Sequence, residues 1–128
     1  MVQATFHFPR GFLWGTATAA HQVEGNNTNN QCWMWEQTGH TNGTSGLAAD
    51  WWGGRWKEDM DRAAETGQNA HRFSVEWSRI QPTPDTWDED ALERYRNMLR
   101  GMRDRGLDAG ERSDVQLSHM RVTSFGLD

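Results

Sequence analysis

The chain has one cysteine, Cys32, among 128 residues. An internal disulfide and a two-cysteine metal knuckle are both excluded. No apolar run approaches the roughly 18 residues that a membrane-spanning helix needs. The first residues, Met1 to His7, lack the basic start and apolar core of a secretory signal. These absences fit a cytoplasmic protein. There is no basic surplus either. Lys and Arg number 13 against 18 Asp and Glu, a formal charge of −5. Nucleic acid is therefore not an expected partner, because no excess of cations is there to neutralise phosphates. Aliphatic side chains are scarce too. Leu, Ile, Val and Phe together number 18, or 14% of the chain, below the roughly 20% at which disorder becomes an expectation. Tryptophan offsets this. There are eight, and each can bury about 150–250 Å².

The length suits one domain. Residues 12–18 are apolar and β-prone and predict a short strand. Residues 25–49 are rich in Gly, Asn, Thr and Ser and predict a long loop that holds Trp33 and Trp35. A helix is expected next, with Asp50 as its N-cap, Trp52, Trp56, Met60, Ala63 and Ala64 as its apolar stripe, and Gly67 as its stop. Ala70 to Trp77 alternate: His71, Phe73, Val75 and Trp77 on one face, Ala70, Arg72, Ser74 and Glu76 on the other. After a loop with Pro82 and Pro84, a second helix starts near Asp88 and ends at Gly106. Its stripe is Leu92, Tyr95, Leu99 and Met102, and its charges complement the helix dipole at both ends. Strands alternating with helices indicate an α/β protein with a parallel sheet. A right-handed crossover puts the two strands side by side and both helices on one face.

Two blocks carry a resemblance. Phe8-Pro9-Arg10-Gly11-Phe12-Leu13-Trp14-Gly15-Thr16-Ala17-Thr18-Ala19-Ala20-His21-Gln22-Val23-Glu24-Gly25 resembles the N-terminal signature of family 1 glycoside hydrolases, the β-glucosidase and β-galactosidase type. Asn69-Ala70-His71-Arg72-Phe73-Ser74-Val75-Glu76-Trp77-Ser78-Arg79-Ile80 resembles that family's second-strand block. The likeness runs over about residues 6–107. It implies a (β/α)8 TIM barrel, of which this chain would supply the first two βα units. Such a barrel takes about 250 residues. The implied chemistry is retaining hydrolysis of β-glycosides, without a cofactor or metal, on a β-glycoside or oligosaccharide substrate. By the resemblance, Gln22 binds hydroxyls of the non-reducing sugar, work suited to an amide that both donates and accepts. Arg72 matches the arginine beside the catalytic nucleophile, where a fixed cation stabilises a carboxylate.

Retention needs two carboxyl groups about 5–5.5 Å apart. The family supplies them from Asn-Glu-Pro and Glu-Asn-Gly triplets, and neither triplet occurs here. No catalytic residue is therefore assigned within these 128 residues, and the chain by itself is expected to be inactive. Glu24 and Glu76 match neither triplet. His21, His71 and His119 lack metal-type spacing. From Asp108 to Asp128 the chain turns polar, and the expected apolar third strand is missing. The sequence predicts an unmatched tail over 108–128, out-of-frame or foreign. A different class of protein fits some of the same residues: a small Trp-rich carbohydrate-binding module using Trp33, Trp35 and Gln22. Trp52, Trp56 and Trp77 fall on apolar stripes and read as packing.

Overall fold

The computed structural model describes residues 5–107 and the backbone of 115–116 and 121–122. Strand β1 (Gly15–Ala17) leads directly into a short helix, α1 (Ala20–Val23). Helix α2 (Gln31–Trp35) continues into a π-helical turn over Glu36–His40. Then come α3 (Trp56–Glu65), β2 (Ala70–Arg72), α4 (Trp77–Ile80) and α5 (Glu89–Asp104). Two further short strands, β3 (Val115–Gln116) and β4 (Arg121–Val122), pair antiparallel. The rest of the 108–128 tail lies outside the described residues.

The two expected strands do lie side by side and parallel. Gly15 pairs with Ala70, Thr16 with His71 and Ala17 with Arg72. Asn69 extends this pairing at its start. Its Oδ1 accepts the Trp14 N–H at 2.7 Å, and its Nδ2 donates to the Phe12 carbonyl at 3.0 Å. The close approach explains Gly15. A Cβ there would sit 2.4 Å from the Ala70 carbonyl oxygen. Both strands are shorter than the alternation predicts, because β1 turns into α1 and leaves 73–76 without a neighbouring ladder. The alternation itself persists, with His71, Phe73 and Val75 buried and Arg72 exposed. Glu76 is the exception. The pattern puts it on the open polar face, yet it is buried, for a reason given below.

One core serves the sheet and both long helices. Trp51, Trp56 and Met60 pack with Phe73, Val75 and Ile80 and with Leu92, Tyr95, Met98, Leu99 and Met102 of α5. The tryptophans read as packing residues do pack: Trp56 is in this core, with Trp52 and Trp77 against it. Helix α5 follows its sequence closely. The Asp88 side chain accepts the Ala91 N–H, Glu89 and Asp90 fill the first turn, and Gly106 takes a φ of 71° after the end. Gly101 is required inside it, since a Cβ there would lie 2.2 Å from the Trp56 indole.

Two elements differ from expectation. Helix α3 begins at Trp56, a turn later than Asp50 would cap it. Asp50 instead accepts the Gly53 N–H at 3.1 Å and closes a turn that Gly54, at a φ of 106°, carries away from helical geometry. The predicted long loop contains α2. Its cap is Asn30, whose Oδ1 accepts the Trp33 N–H at 2.8 Å. Gly39, with a φ of 80°, breaks the turn that follows.

Candidate functional site

Gln22 and Arg72 both follow from the same end of the parallel pair. Arg72 is the last residue of β2, and its carbonyl accepts the Thr18 N–H at 2.9 Å just beyond β1. Four residues after Thr18 the chain reaches Gln22 on α1. Both Gln22 and Arg72 are exposed. Arg72 is at the C-terminal end of β2 and Gln22 lies beyond that of β1, the end at which barrel enzymes place their chemistry.

Helix α1 is held from several sides. The Ala20 N–H donates to Ser74 Oγ at 2.7 Å, fixing its first turn to the segment after β2. His21 is buried. Its Nδ1 lies 3.1 Å from the Asn30 amide nitrogen, which leaves the ring proton on Nε2. That Nε2 faces Glu36 Oε1 at 3.0 Å, within ionic range but off the line of a hydrogen bond. Glu36 is a well-served carboxylate. It accepts from the Thr44 hydroxyl and from the backbone N–H and hydroxyl of Ser45. Chiefly the Thr44 bond, with those from Ser45 and the nearby His21 ring nitrogen, holds it down to about 2.

Glu24 is buried to 1% exposure at the other end of α1. Its Oε1 accepts the Tyr95 hydroxyl at 2.6 Å, and its Oε2 accepts Arg79 Nε at 2.8 Å and the Asn27 amide at 3.3 Å. Arg79 also donates to the Gly25 carbonyl and lies over the Trp52 ring, 4.2 Å from its centroid. Burial pushes Glu24 up to about 7, against the opposing pull of Tyr95 and Arg79. Glu76 joins the same cluster. Its N–H donates to the Tyr95 hydroxyl at 3.0 Å, and its carboxylate accepts from Asn30 at 2.9 Å and from the Ser78 hydroxyl at 2.9 Å. These bonds explain why Glu76 turns inward. Glu24 and Glu76 are thus engaged with the fold's own donors. His71 is likewise committed, with its ring nitrogens at the Thr16 and Thr18 hydroxyls, and burial lowers its pKa.

The sequence reading missed the Glu24–Arg79–Tyr95 cluster. Its signal was present in part. Glu24 and Arg79 are the oppositely charged residues at the ends of the two matched blocks, and a tyrosine on an apolar stripe needs a partner for its hydroxyl. Among the loop tryptophans, Trp33 is half-buried, while Trp35 is exposed and stacks one face on His40 at 3.8 Å. A cleft of about 670 Å³ runs between the 52–57 segment and α5, and neither Gln22 nor Arg72 lines it. Among the described residues no group of three His, Cys, Asp or Glu is placed to hold a metal, and no helix is long and apolar enough to cross a membrane.

A parallel strand pair with helices between and after its strands is an α/β arrangement. The chain belongs to glycosyl hydrolase family 1, whose model matches residues 4–121, a span that continues past Leu107. It is 38% identical to a bifunctional β-D-glucosidase/β-D-fucosidase of Bifidobacterium breve, over 94% of this chain and 27% of that protein. It is 35% identical to β-glucosidase A of Thermotoga maritima, over 78% of this chain and 24% of that one. Among solved structures, β-glycosidase BGL167 superimposes with a TM-score of 0.71 at 44% identity, over 78% of this chain and 24% of that one. A β-glycosidase from Pyrococcus horikoshii gives 0.69 at 39% identity, over 78% and 23%. The chain therefore spans about a quarter of the length of these relatives.

Proposed function

We propose that this chain forms the first quarter of the (β/α)8 barrel of a retaining β-glycosidase acting on β-glucosides or β-galactosides. In this reading Gln22 binds hydroxyls of the non-reducing sugar, and Arg72 stands beside the nucleophile and favours its charged form. The observation that carries the reading is that Arg72, at the C-terminal end of β2, and Gln22, just beyond that of β1, are both exposed at the same end of two paired parallel strands. Both catalytic carboxylates would come from strands outside these 128 residues, so the chain alone releases no sugar. A cytoplasmic setting and a cofactor-free reaction belong to the same proposal.

The test is a chimera. Residues 6–107 replace the matching segment of the Thermotoga maritima β-glucosidase A. The chimera is expected to hydrolyse an aryl β-glucoside. Gln22→Ala is expected to lower kcat/KM by about tenfold or more, the scale of about 1.4 kcal/mol in transition-state binding. Arg72→Met is expected to lower kcat more than it changes KM. Full activity in both variants would sink the assignment. Saturable binding of cellobiose to the isolated chain, lost on Trp35→Ala but retained in Gln22→Ala, would point instead to a carbohydrate-binding module.

A further inference from the structure

We propose that Glu24 is a positioning residue for Gln22: its buried carboxylate ties the end of α1 to α4 and α5 and so sets where the exposed glutamine points. The inference rests on the reading of Gln22 given above and deepens it. Helix α1 has four residues, too few to hold a direction by its own hydrogen bonds. The Gln22 side chain makes no hydrogen bond among the described residues. Its aim therefore comes from the backbone beneath it, and that backbone is fixed by its neighbours. Ser74 and the His21–Asn30 contact hold the N-terminal side. Glu24 holds the other, through bonds to Tyr95, Arg79 and Asn27.

Of these holds, the Glu24 carboxylate is the one that reaches both α4 and α5, and its bonding changes with a proton. When charged, it accepts from all three donors. When protonated, the oxygen that carries the proton becomes a donor: on Oε2 it opposes Arg79, which can only donate, and on Oε1 it reverses the bond to Tyr95, whose hydroxyl then accepts. The groups facing it are Tyr95 from α5, Arg79 from α4, Asn27 from its own loop, and Glu76 from the segment before α4. Glu76 repels its charge, and Arg79 and Tyr95 favour it. Burial brings the titration to about 7. The Val23 and Glu24 carbonyls also accept the Trp51 and Trp52 N–H groups at 2.9 Å, bonds that do not use the Glu24 carboxylate. The fold therefore persists while the tilt of α1 adjusts.

The test follows the Gln22 backbone and side-chain amide signals of the full 128-residue chain by NMR between pH 5 and 9, with no sugar present. The signals are expected to shift with the same midpoint as the Glu24 carboxyl carbon. Glu24→Gln should abolish the shift. Tyr95→Phe should move both midpoints together to higher pH, because it removes a donor that favours the charged form. Stationary Gln22 signals while Glu24 titrates would overturn the proposal. So would a shift that survives in Glu24→Gln, or a Gln22 midpoint that ignores Tyr95→Phe. The Gln22→Ala chimera is a separate arm. If it keeps full activity, the sugar-binding reading fails while the pH arm keeps its meaning.

Discussion

The Tyr95 hydroxyl donates to Glu24 Oε1 at 2.6 Å and accepts the Glu76 N–H at 3.0 Å. One atom on α5 thereby joins the segment after β1 to the segment after β2. Tyr95→Phe removes both bonds and leaves a buried backbone N–H and a buried carboxylate short of a partner. A loss of about 1–3 kcal/mol is expected. Urea unfolding checks it; an unchanged midpoint would mean the hydroxyl holds nothing together.

The raised pKa of Glu24 makes part of the stability fall as pH rises. Between the ordinary value of 4.5 and about 7, the folded chain keeps a proton that the unfolded chain has released. Folding is then penalised progressively across that window and fully above it, by on the order of 3 kcal/mol. Glu24→Gln lacks this component. The stability difference between Glu24→Gln and the unaltered chain, followed from pH 4 to 8, should therefore drift in favour of the variant. His71 contributes with the opposite sign. Its lowered pKa favours the folded state as pH rises toward and past 6.5, and it cancels in the difference.

Gly101→Ala sets helix propensity against packing. Alanine gains up to about 1 kcal/mol within a helix. The new Cβ would lie 2.2 Å from the Trp56 indole, which is itself buried, and overpacking costs about 1–3 kcal/mol. Packing is expected to win, with a lower melting temperature and altered Trp fluorescence. A more stable variant would mean that Trp56 can swing clear.

Asn30 caps α2 and contacts both His21 and Glu76 through one side-chain nitrogen. Asn30→Ala is expected to cost about 1–2 kcal/mol from the cap alone. It should also speed hydrogen exchange of the Trp33 amide above that in Asn29→Ala. Equal exchange in the two variants would refute the cap.

Acid should release the 36–45 segment. Glu36 is held to about 2, so its bonds to Thr44 and Ser45 stabilise the fold fully above 4.5 and are lost as pH falls toward 2. Amide signals of Ser45 should track that loss, and Glu36→Gln should remove the dependence.

Much of this was legible in the sequence. The parallel strand pair, α5 with both of its ends, and the core face of β2 all follow from local periodicity and capping residues. Asp50 misled because an N-cap residue and an Asx-type turn look alike until the following glycines choose between them. Helix α2 was hidden because a five-residue helix has no room for a periodic stripe. Gln22 and Arg72 came from matched blocks, and both are exposed near the C-terminal ends of the paired strands. Glu76 went the other way: strand alternation pointed it outward, and a hydroxyl nineteen residues on drew its backbone in.

The bond between Glu24 and Tyr95 spans 71 positions, and this separation sets an order of assembly. As the chain is synthesised from its N-terminus, β1 and the carboxylate of Glu24 exist for several seconds, at about 5–20 residues per second, before Tyr95 is made. For most of that interval the segment that later presents Gln22 has neither its hydroxyl nor its guanidinium partner, and Arg79 arrives 16 residues ahead of Tyr95. Long-range closures of this kind come late and slowly. The earliest-made part of the molecule is thus among the last to become native, and α5 is the element whose arrival decides when.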